Sequence, residues 1–510
     1  MDSFNDSSLS AYFPGLVDIC ITDEGQLVYA ILKDGELIFE PEHITETESF
    51  SVPEKEHFQF TIPRASEVMR YFTQEDPSLY DDVLAYLKRF SALDDKQWAI
   101  IAHYVFLTYL HDHPDIDYCP CILFNAVPER GKSRTGKSMI YVTFRGIHLI
   151  ELREANIFRY SQELHGTLFF DLMDIQKKAT QGRCEDLLLG RYEKGAKCCR
   201  VLYPELGAFY DTKYYDIYGP TIIASNEQLD KILETRCLPI NMPNIPGNYE
   251  NPRPEMGLEL KERLTAWRAR YLHVKFAVME LINGISGRLW DISKPLFLIN
   301  SLLPNDVHIL EEAILAIADE KDASRKDSVE GRLVAIIKEI TDEDGLDRYT
   351  EWSIKTSDIR AKYNEGKPED RQVTPQWIGK RLKRMSLHNR IVHGYSEIII
   401  TASEYALLLR QYGNTAGESA KPTHSLPEKT DQYQYVPREV ESGRESVQEE
   451  GQVHLDFVSS SERQIYEETL QTLQDEGGMS QEEMEQEAYR QIVEFRRCEG
   501  SPSEIEFKEP

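Results

Sequence analysis

One segment of eight residues limits the possible folds of this chain more than any other feature. Residues 131–138 read Gly-Lys-Ser-Arg-Thr-Gly-Lys-Ser, which matches the pattern G-x-x-x-x-G-K-[ST] at every position. The apolar residues 121–124 before the segment are strand-like, and residues 139–144 after it are helix-like. The sequence therefore predicts a strand, a glycine-rich loop and a helix in that order.

A loop of this composition is suited to hold phosphate groups. Its glycines let backbone N–H groups surround the β-phosphate, and the N-terminus of the following helix adds partial positive charge. We expect Lys137 to reach the β and γ oxygens and Ser138 to hold Mg²⁺. The predicted ligands are thus ATP and Mg²⁺. The candidate nucleotide-binding residues are Gly131, Lys132, Ser133, Arg134, Thr135, Gly136, Lys137 and Ser138.

A carboxylate that follows a buried strand is the second part of such a site. The run Gly166-Thr-Leu-Phe-Phe-Asp171 supplies one, which makes Asp171 the candidate Mg²⁺ ligand together with Ser138. A glutamate that polarises the attacking water is usual at the next position, where this chain has Leu172. Asp174 is either the catalytic substitute or the N-cap of the following helix. This departure puts the rate of hydrolysis in doubt.

Two further polar positions follow Asp171 in the chain. The apolar run 220–225 is followed directly by Asn226. Arg236 lies ten residues later, directly after Leu-Glu-Thr. Taken in this order, the strand, the glycine-rich loop, Asp171, Asn226 and Arg236 resemble the AAA+ fold. They resemble more closely the helicase-related ATPases of phages, plasmids and other mobile elements. The resemblance covers roughly residues 96–305, and the loop is its most specific part.

The resemblance implies a role for each of these residues. Asn226 would be a sensor that orients water against the γ-phosphate. Arg236 resembles the arginine finger of clamp-loader ATPases, which acts across a subunit boundary, so a homo-oligomer is implied, with a hexameric ring as the candidate form. Residues 286–291 read Ser-Gly-Arg-Leu-Trp-Asp, and Arg288 resembles the lid arginine that touches the nucleotide. The alternatives are a structural salt bridge for Arg236 and a helix-surface position for Arg288.

An insertion between Asp171 and Asn226 has the pattern of a β-hairpin that turns at residues 204–207. In the hexameric helicases that the chain resembles, a hairpin here points into the central pore and grips a single strand. The cationic and aromatic candidates for phosphate and base contacts are Lys197, Arg200, Phe209, Tyr210 and Lys213. The alternative is an ordinary extension of the sheet. Arg191, before the insertion, is a candidate for a second arginine acting in trans.

The segment 326–412 has an order of its own, with three helices followed by a two-stranded hairpin. Its third helix opens at Thr374-Pro375 and is basic. This order resembles a winged helix, whose third helix enters a groove of DNA while flanking cations fix phosphates. Winged helices also bind proteins, and this is the alternative. The candidate DNA contacts are Lys380, Arg381, Lys383 and Arg384.

Composition limits how the chain can contact nucleic acid. Its formal net charge is −29, so the overall field repels phosphates and any DNA contact must come from local basic features. The eight cysteines have no spacing typical of a zinc ribbon or a disulfide framework. We find neither a basic, apolar leader nor an apolar run of membrane length. The expected location is the cytoplasm, without a membrane partner.

These patterns predict an α/β protein with an AAA+-like P-loop ATPase core, a helical lid, an N-terminal β-rich module, a C-terminal winged helix and a disordered acidic tail. The β-rich module includes a hairpin that turns at residues 33–35. The tail holds 23 acidic and 9 basic residues, a net charge of −14, and is the candidate contact for another replication protein. The expected parts are 1–62 for the β-rich module, 63–118 for a helical connector, 119–245 for the core, 246–325 for the lid, 326–412 for the winged helix and 413–510 for the tail.

The preferred hypothesis is an ATP-hydrolysing motor or loader that acts on nucleic acid, of the replicative helicase-like kind found on mobile elements. The alternative is an ATP-dependent switch, such as a replication initiator or regulator, that binds DNA without moving along it. A scaffold with a degenerate nucleotide site is the third class, and Leu172 favours it.

Overall fold

The computed structural model describes residues 8–412, except for 46–47, 128, 174, 183, 208–209, 228, 246, 305–306, 344–350, 388 and 393–394. The predictions for the tail 413–510, for Asp174 and for Phe209 lie outside the described residues. Across the part of the chain that is described, no helix is both long and apolar enough to cross a membrane.

The N-terminal β-rich module consists of two small sheets. Its strands are β1 (Ser8–Leu9), β2 (Leu16–Ile21), β3 (Leu27–Lys33), β4 (Glu36–Glu40), β5 (Glu42–Ile44) and β6 (Ser49–Ser51). Strands β2, β3 and β4 form an antiparallel meander, while β1, β6 and β5 form the second sheet. The predicted hairpin is present, and its tip residues Asp34 and Gly35 have φ of 53° and 85°, as a two-residue type I′ turn requires.

Two buried arginines attach this module to the rest of the chain. Arg145 donates through Nε to Asp18 at 2.8 Å and through Nη1 to the backbone oxygen of Ala11 at 2.7 Å. Arg268 donates to the backbone oxygen of Leu16 at 2.8 Å. The apolar residues of the module also belong to the same two hydrophobic cores as the central sheet. The module is therefore part of a larger packed unit, with no break in packing at residue 62.

Three helices lead from this module to the central sheet, as the sequence predicts. They are α1 (Ala65–Phe72), α2 (Leu79–Lys88) and α3 (Asp95–Leu110). Helix α3 begins with a capping box, in which the Asp94 side chain accepts from the Gln97 backbone and Gln97 returns a bond to the Asp94 N–H. From Trp98 to Leu110 every residue of α3 is buried, because the helix passes through the middle of the main core.

A five-stranded parallel sheet forms the centre of the fold. Its strands are β7 (Cys121–Asn125), β8 (Ile147–Leu149), β9 (Leu168–Asp171), β12 (Thr221–Ser225) and β13 (Cys237–Asn241), and its helices are α4 (Lys132–Ile140), α5 (Glu154–Leu164), α6 (Ile175–Gly182), α7 (Glu185–Gly190) and α8 (Lys231–Glu234). The strand order is β13-β7-β12-β9-β8, and every neighbouring pair is parallel. The strand interiors are apolar and buried, as expected for a sheet covered on both faces.

The parallel direction of the strands defines two edges of the sheet. We call the edge where the strands end the carboxyl edge, and the edge where they begin the amino edge. An antiparallel hairpin of β10 (Lys197–Val201) and β11 (Thr212–Asp216) is inserted between β9 and β12, which confirms the predicted hairpin. Helix α4 ends at Ile140, so most of the helix-like residues 139–144 form turns instead; Thr108 Oγ1 accepts from the Phe144 N–H there.

The helices after the sheet are α9 (Leu258–Tyr271), α10 (Arg288–Asn300) and α11 (Val307–Asp327). The prediction of helices throughout the lid, residues 246–325, is wrong for 272–287, which are neither helix nor strand. Gly284 and Gly287 in this stretch have φ of 89° and 57°. Gly287 is the N-cap of α10. Glycine adopts a positive φ without the cost that a side chain imposes.

The C-terminal module has a hydrophobic core of its own, which runs from Leu333 to Leu408. Its elements are α12 (Val329–Glu343), β14 (Glu351–Lys355), α13 (Thr356–Asn364), α14 (Pro375–Arg384), β15 (Asn389–Val392), β16 (Tyr395–Thr401) and α15 (Ala402–Tyr412). The three predicted helices and the hairpin are present. Strand β14, which pairs with β16, and helix α15 were not predicted.

Candidate nucleotide-binding site

The motif segment 131–138 lies at the carboxyl edge of the sheet, after Asn125 at the end of β7. The loop predicted over these residues is wrong from Lys132 onward, because Lys132–Ile140 form α4 and Gly131 is its N-cap. We keep the name glycine-rich loop for this segment and the turn that precedes it. Gly131, the N-cap of α4, has φ of 84°, where a side chain would be strained. Lys132 Nζ donates to the backbone oxygens of Ala126 and Val127 at 2.6 and 2.9 Å. This lysine therefore bonds the loop to itself, so Lys137 rather than Lys132 is the lysine suited to contact phosphate.

Gly136 packs directly against strand β9. A Cβ atom at this position would lie 2.2 Å from Cζ of Phe169, far inside van der Waals contact. The Phe169 ring is fully buried, so it has no room to withdraw. The second glycine of the motif therefore lets α4 rest on the strand that carries Asp171.

Asp171 ends β9 beside the loop. Its Oδ1 accepts from Ser133 Oγ at 2.7 Å, and its Oδ2 lies 3.6 Å from His148 Nε2. Burial raises the pKa of Asp171, but the neighbouring His148 and Ser133 side chains and the charge of Lys137 outweigh burial and hold this pKa below its ordinary value. The carboxylate is therefore ionised at neutral pH, as a metal ligand must be.

Ser138 and Asp171 remain the candidate Mg²⁺ ligands. Ser138 is fully buried, and its Oγ donates to the backbone oxygen of Thr135 at 2.8 Å. The hydroxyl that contacts Asp171 in the structure is that of Ser133. Hydroxyl and carboxylate oxygens suit Mg²⁺, which keeps several waters and takes further oxygens from phosphate. No set of three or more His, Cys, Asp or Glu side chains within the described ranges could hold a metal ion alone. The donor set thus fits a cation that is shared with a nucleotide.

Asn226 follows β12, the strand between β7 and β9. The register places Ser225 opposite Asn125 and Ala224 opposite Asp171. Asn226 is exposed and lies at the carboxyl edge between the loop and the carboxylate. The structure thus brings the loop, Asp171 and Asn226 to one edge of the sheet.

Arg236 and Arg288 lie at the opposite edge. Arg236 directly precedes β13, and its backbone oxygen accepts from Cys121 N–H at the start of β7. The guanidinium groups of Arg236 and Arg288 both lie over the ring of Tyr192. The five residues of β7 separate this position from the loop by about 16 Å at the usual rise of a strand. Arg288 therefore does not reach a nucleotide bound at the loop of its own chain, and its resemblance to a lid arginine that touches the nucleotide stays a prediction.

Arg191 is buried inside the chain, and the suggestion that it acts in trans is wrong. Its exposed fraction is 1%. Its guanidinium donates to Thr221 Oγ1 at 2.8 Å and to the backbone oxygens of Ile217 and Pro220 at 3.1 and 3.0 Å. Burial lowers the pKa of Arg191 to about 10, so the side chain stays charged at neutral pH. Its role is to tie the hairpin insertion to β12.

Two of the hairpin cations face helix α5. Arg200 pairs with Glu154 of α5, and its guanidinium lies 5.7 Å from the centroid of the Phe158 ring. Lys213 is the cross-strand partner of Arg200, and its Nζ lies 4.9 Å from the centroid of the Tyr215 ring. The charge of Arg200 is thus already used within the chain, which makes it a weaker candidate for a phosphate contact.

The outward part of the hairpin is more apolar than the sequence suggests. Lys197 is exposed, and the Tyr210 side chain is 78% exposed; Phe209 lies outside the described residues. The exposed apolar side chains along the same hairpin are Val201, Leu202, Tyr203, Leu206 and Tyr214. Rings that are free of contacts suit stacking on bases, whereas few free cations remain beside them.

Helix α14 presents three exposed cations. Lys380, Lys383 and Arg384 are exposed, and residues 375–384 contain no acidic side chain. The fourth predicted cation differs, because Arg381 Nη1 donates to Glu330 of α12 at 2.9 Å. The helix starts as predicted, since Thr374 Oγ1 accepts from the Trp377 N–H and proline follows at the first helical position.

Two site residues were not predicted from the sequence. His148, the neighbour of Asp171, is a half-buried polar residue within the short apolar strand β8, and this interruption is the signal that could have found it. Tyr192, the platform of the two arginines, carries no comparable signal. It follows Arg191, and only the fold places its ring beside Arg236 and Arg288.

The described residues define a mixed α/β fold around a parallel sheet, with the glycine-rich loop at its carboxyl edge. Among solved structures, the chain is similar to the apo C-terminal region of NrS-1, with a TM-score of 0.33 and 11% identity over 76% of this chain and 96% of that one. It is also similar to SCCmec type IV Cch, described as an active helicase, with a TM-score of 0.33 and 12% identity over 79% and 80%.

A JCV helicase bound to an inhibitor aligns less closely, with a TM-score of 0.21 and 13% identity over 49% of this chain and 72% of that one. No family model matches the chain, and no curated protein does. Similarity at this level does not assign a function, which has to come from the residues of this chain.

Proposed function

We propose that the chain is an ATP-hydrolysing, AAA+-like motor or loader that acts on DNA, of the replicative helicase-like kind. The observation that supports it is the meeting of the glycine-rich loop, Asp171 and Asn226 at one edge of a parallel sheet. Lys137 binds the β and γ oxygens, Ser138 and Asp171 hold Mg²⁺, and Asn226 orients the attacking water. Asp174, in place of the missing glutamate, belongs to the same proposal.

The active form in this proposal is a homo-oligomer, with a hexameric ring as its candidate form. Arg236 is about one strand length from the loop of its own chain, beyond the reach of its side chain. In a ring, the same position faces the loop of a neighbour, where its charge stabilises the transition state. The site is then incomplete without a second copy.

DNA is bound in two places in this proposal. The C-terminal module is a winged helix, in which α14 is the groove-binding helix and β15–β16 form the wing. Its basic surface is local, which allows a chain of net charge −29 to contact phosphates. The hairpin contributes Lys197 and Tyr210 from the core, and the acidic tail contacts another replication protein.

Replacing Lys380, Lys383 and Arg384 together with glutamine is expected to weaken DNA binding at every sequence. Each lost phosphate contact lowers the slope of log affinity against log salt by about 0.9 on duplex DNA, so a loss of up to about 2.7 is expected. Fluorescence anisotropy over a salt series measures it. The matched control is Arg381→Gln, whose charge is paired with Glu330 and whose removal should leave the slope near wild type. Equal slopes for the triple variant and wild type would remove α14 from the DNA interface.

ATP turnover without polymer, with single strands and with duplex DNA tests the proposed function as a whole. We expect turnover that requires Mg²⁺ and rises when DNA is added, because a motor couples hydrolysis to its track. Turnover that DNA leaves unchanged would favour the alternative, an ATP-dependent switch such as a replication initiator or regulator. A complete lack of turnover would favour a scaffold, as Leu172 in place of glutamate allows.

A further inference from the structure

Arg236 and Arg288 share one aromatic platform at the amino edge. Their guanidinium carbons lie 4.8 and 5.2 Å from the centroid of the Tyr192 ring. Arg288 Nη1 also donates to Tyr192 Oη, and that hydroxyl donates to Glu193 at 3.0 Å. Tyr118 stacks on the same ring, with centroids 5.6 Å apart. The Tyr192 ring is therefore held in place and contacts both cations.

The two charges have no carboxylate partner in the part of the chain that the structure describes. Arg236 contacts the Tyr192 ring and donates to the backbone oxygen of Ile232 at 3.0 Å, and Arg288 contacts the Tyr192 ring and hydroxyl. The Arg236 Nε atom is buried and lacks a hydrogen-bond acceptor among the described residues. Two guanidinium groups that contact the same ring and have no carboxylate partner both attract an anion. The pair has the chemistry of a phosphate-binding site.

The nucleotide of the same chain cannot be that anion, because the loop lies at the other edge of the sheet. The carboxyl edge, however, carries exposed apolar side chains shortly after the ends of β7, β8 and β9, namely Val127, Ile150 and Met173. The amino edge carries exposed Ile232 beside Arg236. Apolar side chains around an anion site and around a nucleotide site are suited to meet in an interface between copies.

We propose that Arg288 acts together with Arg236 on the γ-phosphate of ATP bound to a second copy of the chain, and that Tyr192 is the residue that positions both. This proposal rests on the proposed ATPase function and adds a second trans-acting arginine to it. In this arrangement the arginine that resembles a lid arginine contacts the nucleotide of a neighbouring copy.

Single variants define the expected effects. Arg288→Ala should lower kcat roughly 10²-fold, as loss of one donor to a developing charge does, and Arg288→Lys should recover only part of this loss. Tyr192→Phe keeps the ring and removes the hydroxyl that accepts from Arg288, so a loss of about 10-fold is expected. Arg253→Ala, which removes an exposed arginine, is the matched control and should keep wild-type kcat.

Mixed rings distinguish action in trans from action in cis. Arg288→Ala chains mixed with Lys137→Ala chains should regain activity above the sum of the two, because an intact loop then meets an intact arginine pair. Arg288→Ala mixed with Arg236→Ala should regain none, because every donating surface lacks one arginine. If the second mixture does regain activity, Arg288 serves its own chain and the proposal fails, while the ATPase assignment survives.

Self-association of the chain can be measured without ATP hydrolysis, and it tests the arginine pair if the chain shows no turnover. If the wild-type chain shows no turnover, the proposed function fails, but the arginine pair can still bind ATP held by a neighbour. Sedimentation velocity with and without Mg²⁺ and ATP then measures self-association. We expect ATP to promote association of the wild type and of Arg253→Ala, and to do so at least 10-fold less for Arg288→Ala. Equal association of all three would overturn the shared phosphate site.

Discussion

Replacing Arg236 with alanine is expected to lower kcat for ATP hydrolysis by about 10³- to 10⁵-fold, the range for an arginine that stabilises transferring phosphate. The ATP affinity of the unassembled chain should change little, because its own loop, Lys137 and Asp171 lie at the other edge of the sheet. Steady-state turnover and equilibrium binding of a fluorescent ATP analogue separate the two effects. Wild-type specific activity should also rise with protein concentration as subunits assemble.

Mixing two inactive variants tests whether Arg236 acts on the nucleotide of a neighbouring subunit. Lys137→Ala chains donate an intact Arg236, and Arg236→Ala chains donate an intact loop, so a mixed ring contains some complete sites. Activity above the sum of the separate variants is expected. Strictly additive activity in rings shown to be mixed would make Arg236 a residue of its own chain. The trans arrangement, and with it the reason to expect a ring, would then be lost.

Lys137→Ala is expected to abolish ATP hydrolysis with the fold intact. The loss should be at least roughly 10²- to 10³-fold, because a cation at the γ-phosphate supports charge that develops during transfer. The fold should persist because the loop is closed by Lys132 and α4 packs on β9 through Gly136, contacts that do not involve the Lys137 side chain. Turnover and the thermal unfolding midpoint are the two measurements.

The control for Lys137 is Lys326→Ala, which removes an exposed lysine from α11. It should match wild type in both turnover and unfolding midpoint. A Lys137→Ala protein that unfolds early would show that the lysine supports the fold. A stable Lys137→Ala protein with wild-type turnover would contradict the nucleotide assignment.

The sequence predicts what local patterns encode. Strand β7 follows from its apolar run, and the Asp34–Gly35 hairpin follows from turn chemistry. The helix after β7 was predicted from residue 139, but it begins at Lys132 inside the motif. Asp171 and Asn226 share an edge because both end strands of one parallel sheet. These positions depend on features within a few residues of each site, and such features can be read without the fold.

Contacts between residues that are distant in the sequence could not be predicted from it. Arg191 and Arg236 look alike in the sequence, since each is a cation near an apolar run. In the fold, Arg191 is buried and donates to the backbone oxygens of Ile217 and Pro220, whereas Arg236 donates to one backbone oxygen, that of Ile232. Arg288 follows the glycine-rich end of an irregular segment, and its neighbour Tyr192 is distant in sequence. Which cation is structural and which is available depends on packing, and the hydropathy pattern is the same for both.

The two ends of the described chain differ in how they could change by recombination. The C-terminal module closes its own core between Leu333 and Leu408, so another module could replace it without opening the core around the parallel sheet. The N-terminal module could not be exchanged in the same way, because Asp18 neutralises the buried Arg145. A replacement lacking that carboxylate would leave a buried charge unpaired, at a cost of about 3 to 5 kcal/mol. In related chains we therefore expect the module after α11 to be exchanged as a whole. The part before α11 should change by single substitutions.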